Sequence, residues 1–181
     1  APSGSSAPAP VSSGGGSSTG AAVSGSDGAN LLKATAGSQK IDGLGGIDTM
    51  EYLGYKGLFD IQRTASGVTV NDRFGSGGVD TLVNVERLQF LDTAVALDVD
   101  GIAGQAYRLY SAAFNRAPDK GGLGYWIKMM DGGQALDQVA AGFTNSREFA
   151  DLYGANASDA QFVELLYQNV LHRSAEGAGR D

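Results

Sequence analysis

A nine-residue pattern runs three times without a gap, and it limits the fold of this chain more than any other feature. Ser26-Asp-Gly-Ala-Asn-Leu-Leu-Lys-Ala34 leads into Thr35-Ala-Gly-Ser-Gln-Lys-Ile-Asp-Gly43, then Leu44-Gly-Gly-Ile-Asp-Thr-Met-Glu-Tyr52. The third column holds Gly28, Gly37 and Gly46, the fifth Asn30, Gln39 and Asp48, the seventh Leu32, Ile41 and Met50. One turn glycine, one side-chain oxygen and one apolar residue per nine positions is the pattern of a parallel β-helix, whose turns bury each other's apolar sides. The spacing predicts Leu32, Ile41 and Met50 stacked inward in one column. The motif Gly43-Leu-Gly-Gly-Ile-Asp-Thr-Met50 returns as Gly75-Ser-Gly-Gly-Val-Asp-Thr-Leu82.

Around this core the chain divides into three. Residues 1–25 are mostly Ser, Gly, Ala and Pro, a composition that cannot bury enough apolar surface to offset chain entropy and is expected to be a linker or tail. Its small side chains also suit packing against a neighbouring subunit. Residues 26–100 form a β region: beyond the nonapeptides, Leu58–Arg63 and Val68–Asn71 alternate with a period near two around a hairpin turn at Thr64–Gly67. Strands are also expected over Thr81–Val85, Glu86–Phe90 and Thr93–Leu97.

From 101 to 181 the apolar spacing turns helical, with Ile102, Ala106, Leu109, Tyr110, Ala113 and Phe114 on one face. Asp119 is the expected N-cap of a second helix, and Asn145 with Glu148 and Ser158 with Gln161 have the spacing of capping boxes. The fold class is therefore α+β, a β region of short β-helix-like turns and hairpin strands followed by an α-helical bundle. The helical part repeats internally: Leu109-Tyr110, Phe114, Arg116, Asp119 and Gly122 recur at one constant offset as Leu166-Tyr167, Leu171, Arg173, Glu176 and Gly179. The second unit is expected to be truncated at Asp181, as in a fragment.

Composition narrows the function. A net charge of −7 disfavours binding to phosphate backbones, so no nucleic-acid partner is expected. No apolar run is long enough for a membrane span. The chain has no cysteine and one histidine, His172, which leaves no thiolate chemistry, no zinc set and no placed base for a nucleophile. Asp119, Asp131, Asp137 and Glu148 fit helix caps and solvated faces better than a catalytic carboxylate pair. Asp98-Val-Asp100-Gly101 has the opening of an EF-hand loop but not its later ligands, and suits a helix cap at the junction.

Two resemblances join these residues. Asp48-Thr49 and Asp80-Thr81 in their glycine contexts resemble the repeats-in-toxin family of secreted bacterial proteins. Ala106-Tyr-Arg-Leu-Tyr110, Asn115-Arg-Ala-Pro-Asp119 and Gly122-Leu-Gly-Tyr-Trp126 are similar to domain of unknown function 4214, found in secreted bacterial proteins beside calcium repeats. The first resemblance implies weak calcium sites at Asp48 and Asp80, with the backbone of Gly45, Gly46, Gly77 and Gly78 as further ligands. Each aspartate could instead cap its own turn. Asn30 and Gln39 hold the acidic column in the neighbouring turns, and neutral amides bind a hard cation more weakly than carboxylates.

The resulting expectation is a secreted, non-enzymatic bacterial structural module for calcium-assisted extracellular assembly, in a surface layer, fibre or adhesive matrix. Its expected partner is itself, as a homo-oligomer or filament. One rival is the repeat and secretion tail of a larger enzyme or toxin. Another is a glycan-binding module, with Tyr125 as the sugar contact and Trp126 committed to core packing.

Overall fold

A computed structural model describes residues 21–154 and 158–176. Most of the expected tail, residues 1–20, and Gly179 of the second helical unit lie outside the described residues. Strands come first and helices after, an α+β fold. The boundary of the tail moves: β1 already spans Ala21–Ser26, within the segment expected to be linker.

The nonapeptides do not stack in one column. β1, β3 (Gln39–Leu44) and β7 (Val79–Val83) run parallel in one sheet, and β2 (Leu31–Lys33), β4 (Thr49–Glu51) and β8 (Arg87–Gln89) run parallel in a second. Val23 lies beside Ile41 and Ile41 beside Leu82 in the first sheet, whereas Leu32 lies beside Met50 and Met50 beside Leu88 in the second. One complete rung is thus two nonapeptides. A flattened coil has two straight walls per circuit, so successive nine-residue units land on opposite walls and their apolar residues meet across the interior. Ile41, Met50, Leu82 and Leu88 are all buried in one cluster, with Val23 and Leu32 packed against it.

A hairpin interrupts the coil between the second and third rungs. After a 3-10 turn at Lys56–Leu58, β5 (Phe59–Thr64) and β6 (Gly67–Asp72) pair antiparallel around Ala65-Ser66, and β6 continues the first sheet beside β7. Gly67 has φ of +125°, and a Cβ there would stand 2.1 Å from the Leu82 carbonyl oxygen, so only glycine fits the turn. The hairpin brings Phe59 against Tyr52 and Phe90, three rings with centroids 5.1 to 5.5 Å apart. β9 (Ala94–Ala96) pairs antiparallel with β8. Among the described residues the sheet orders are β1-β3-β7-β6-β5 and β2-β4-β8-β9, so the first rung supplies an edge strand to each sheet.

The helices are α1 (Ile102–Phe114), α2 (Lys120–Asp131), α3 (Leu136–Thr144), α4 (Arg147–Tyr153) and α5 (Asp159–Leu171). Asp119 caps α2 by accepting from the Gly122 amide, and Ser158 with Gln161 forms the expected capping box of α5. The cap of α4 is Ser146, whose hydroxyl accepts from the Phe149 amide; Asn145 instead closes α3. Ala106, Tyr110, Phe114, Met130, Val139 and Phe143 form the helical core.

Leu88 is fully buried at the centre of the coil, whereas Leu31, on β2 of the same wall, is 60% exposed. Leu88→Ala is expected to cost about 2–5 kcal/mol in urea unfolding, and Leu31→Ser less than about 0.5 kcal/mol. Equal losses at the two positions would contradict the two-wall register.

Candidate functional site

The turns of the coil carry two ladders of side-chain oxygens. Along the first, the Asn30 amide donates to Asp48 Oδ1 (2.8 Å) and the Asp48 amide donates to Glu86 Oε2 (2.9 Å). Along the second, the Thr35 amide donates to Gln39 Oε1 and the Gln39 amide to Asp80 Oδ1, both at 2.9 Å. Where the chain turns from one wall to the other, its N–H has no strand partner, and a buried unpaired amide is costly. The fifth-column oxygen of the next rung, or of the same turn, supplies the acceptor. Glycine at the turns lets the rungs close together. At Gly46 (φ +106°) a Cβ would stand 2.7 Å from the Ala29 nitrogen, and at Gly78 (φ +72°) 2.7 Å from the Ser38 nitrogen.

The two candidate calcium ligands differ in what remains free. Asp80 is buried and both its oxygens are engaged, Oδ1 by the Gln39 amide and Oδ2 by the Tyr52 hydroxyl (3.0 Å). Burial pushes its carboxyl above the usual carboxylate range, against the pull of the Tyr52 and Gln39 donors. Burial, then the Asp80 charge, likewise raises the Tyr52 phenol. Asp80 therefore fits a structural acceptor and not a cation ligand.

Asp48 is fully buried, and its Oδ2 has no hydrogen-bond partner among the described residues. That oxygen lies against Gly43, where a Cβ would come within 2.5 Å of it and 1.9 Å of the Asn84 carbonyl oxygen. An orphaned carboxylate oxygen beside a backbone carbonyl, in a cradle open only because residue 43 is glycine, fits a hard cation. Among the described residues no three His, Cys, Asp or Glu side chains gather as a metal-binding group. A cation here would rest on one carboxylate and carbonyl oxygens, which is a weak site.

Gly45 and Gly46, the expected co-ligands of Asp48, serve rung contact: the Gly45 amide faces the Ser26 carbonyl at 3.4 Å and Gly46 abuts Gly28 and Ala29. Gly77 and Gly78 belong to a loop folded around Asp72. That carboxylate accepts from the amides of Phe74, Gly75 and Gly77, and the Gly78 carbonyl accepts from the Asp72 amide. Desolvation opposes the charge, but these three donors hold the Asp72 carboxyl below its usual range.

Arg87 joins the two halves, and sequence reasoning missed it. It is 8% exposed on β8, and its Nε and Nη2 donate to both oxygens of Asp131 at the end of α2 (3.0 and 2.6 Å). Its Nη1 donates to Asp98 Oδ1 and to the Glu86 carbonyl. Asp98 in turn caps α1, its Oδ2 accepting from the Ala103 amide. Burial disfavours the guanidinium charge, but the bonds to Asp131 and Asp98 more than offset this.

In the helical half the internal repeat is visible in geometry. Asn115 ends α1 at φ 49°, ψ 35°, and His172 ends α5 at φ 52°, ψ 35°. The next residues, Arg116 and Arg173, lie 5.0 and 5.7 Å from the ring centroids of Tyr110 and Tyr167. Arg116 also grips Glu148 through both carboxylate oxygens and bonds the Tyr110 hydroxyl. Trp126 packs against Phe143 (centroids 4.8 Å apart) and over Gly142, whereas Tyr125 is 56% exposed. His172 is exposed.

Arg87→Ala strands two carboxylates at the junction and is expected to cost about 3 kcal/mol in chemical denaturation. A loss below about 0.5 kcal/mol would show that the joint is not held there. Asp80→Asn tests the other buried acid. A folded pKa above the unfolded value of about 4 means that wild-type stability falls as pH rises through the folded pKa. The variant lacks this penalty, so its melting temperature relative to wild type is expected to rise as the pH is raised above the unfolded value. A pH-independent difference would contradict the shift.

Among the described residues no helix is long and apolar enough to cross a membrane. Comparison with curated proteins finds no matching relative. The helical region matches a family model described as Domain of unknown function (DUF4214), at residues 105–153 and again at 140–181. Two matches to one model accord with the repeated geometry of α1 and α5.

Proposed function

We propose that the chain is a secreted, non-enzymatic structural module whose work is calcium-assisted self-assembly outside the cell. The observation that carries this reading is the open first rung. Among the described residues β1 and β2 each pair on one side only, and they are edge strands of the two sheets of the same coil. Neither edge carries a proline, and Lys33, bound to Glu51, is the one charged side chain on them. Natural proteins usually protect such edges, and an unprotected pair is a template for adding another chain.

Calcium enters through Asp48. With Oδ2 unpaired beside the Asn84 carbonyl, a bound cation would neutralise a buried charge and stiffen the turn joining the three rungs. A single-carboxylate site has an affinity on the order of 10⁻⁴ to 10⁻³ M, suited to extracellular calcium. The repeat resemblance supports the same setting. The exposed Tyr125 ring keeps a glycan contact as the second reading, tested by loss of glycan-array binding in Tyr125→Ala.

Sedimentation across a concentration series, with millimolar calcium and then a chelator, tests the main reading. The expected result is mass that grows with concentration and calcium and falls on chelation. Asp48→Asn keeps an acceptor for the Asn30 amide but weakens the cation site, so it should lose the calcium response while remaining folded. A monomer under all conditions would end the assembly reading, and a calcium response unchanged by Asp48→Asn would end the metal assignment.

A further inference from the structure

We infer that the cavity between the turn after β2 and the loop after β6 is a site for a small alkylammonium, a primary amine on a short apolar stem, with Asp80 accepting from its charged head. The inference does not depend on the assembly reading. The cavity has a volume of about 210 Å³ and runs from an exposed mouth at Ala36, Leu53 and Ser76 to a floor at Tyr52 and Asp80. Those two floor residues are 4% and 3% exposed. The Asp80 carboxylate is only partly accommodated by the fold. Its oxygens accept one donor each, from the Gln39 amide and the Tyr52 hydroxyl, whereas an ionised carboxylate offers about four acceptor positions. Burial disfavours its charge, and none of the ion pairs among the described residues includes it. A buried carboxylate without a cation is costly, and a cation entering the cavity offsets that cost.

The lining selects the kind of cation. Ala34, Phe59 and Val70 complete the walls with carbon. A hard metal ion wants six or more oxygens and finds here a carboxylate whose two oxygens are already bonded. An ammonium head is less demanding, because its N–H groups need only the acceptor positions left on Asp80. The apolar walls take the stem, and aromatic residues such as Tyr52 and Phe59 favour a cation beside them. Asp72 adds a second negative charge to the lining. The amides of Phe74, Gly75 and Gly77 hold that carboxyl below its usual range, so it stays ionised and draws cations toward the cavity. A free small amine and a lysine side chain share this chemistry.

The test is a titration of the full chain with n-butylammonium, followed by amide shifts in residue-resolved NMR, with 1-butanol as the neutral probe of similar shape. Butylammonium is expected to shift the amides of Thr35, Tyr52 and Gly77 saturably, with a Kd on the order of 10⁻³ M, and butanol to bind at least about tenfold more weakly. Asp80→Asn keeps an acceptor for the Gln39 amide but removes the charge, and should weaken butylammonium by about tenfold or more. Ala36→Phe, at the exposed mouth, leaves Asp80 untouched and should block entry. A blocked tripeptide with a central lysine separates the two sources. Shifts at the same amides point to a protein side chain as the ligand, and a silent peptide beside a binding butylammonium points to a free amine. Shifts spread over the acidic surface, butanol binding equal to butylammonium, or binding that survives both variants would overturn the site.

Discussion

Every turn of this coil leaves backbone amides that no strand can pair, and the answer to that problem organises the β half. Gln39 and Asp48 each do two jobs: the side chain accepts a hydrogen bond, and the amide gives one to the next rung's Asp80 or Glu86. The oxygen column is thus a set of rung-to-rung fasteners before it is anything else. The fasteners also set the register, because a strand slipped by one residue would turn Ile41 and Leu82 outward and break the bond from Gln39 to Asp80.

The same requirement explains what was legible in the sequence. The glycine, oxygen and apolar columns are visible because each answers a separate constraint: a close approach, an unpaired amide, a shared interior. Periodicity could not say that alternate units belong to opposite walls, since nine residues per half circuit and nine per circuit give the same columns. The third rung was hidden by the hairpin inserted between Tyr52 and Gly78. With the hairpin set aside, Asn30-Leu-Leu-Lys33, Asp48-Thr-Met-Glu51 and Glu86-Arg-Leu-Gln89 align as oxygen, variable, apolar and polar, and Gln39-Lys-Ile-Asp42 aligns with Asp80-Thr-Leu-Val83. That signal would have found Glu86 and shown that Asp48 and Asp80 sit on different ladders.

The helices were easier, because their contacts are local. Caps at Asp119 and Ser158 follow from one side chain and an amide three residues on. Arg87 could not be found this way. Its partners Asp98 and Asp131 lie on separate elements, and nothing in the spacing of those carboxylates distinguishes a buried pair from a solvated one. The joint holds the coil and the helical bundle in one frame through a single buried guanidinium.

The ladder is open to one direct measurement, amide hydrogen exchange resolved by residue. Gln39 begins a strand directly after a turn and Asp48 lies in a turn, where amides normally exchange freely. If their N–H groups are locked onto Asp80 and Glu86, they should exchange as slowly as the strand-centre amide of Ile41. Exchange at the fast rate of exposed turns would show that the oxygen column does not fasten the rungs, and the account of this coil would fail at its base.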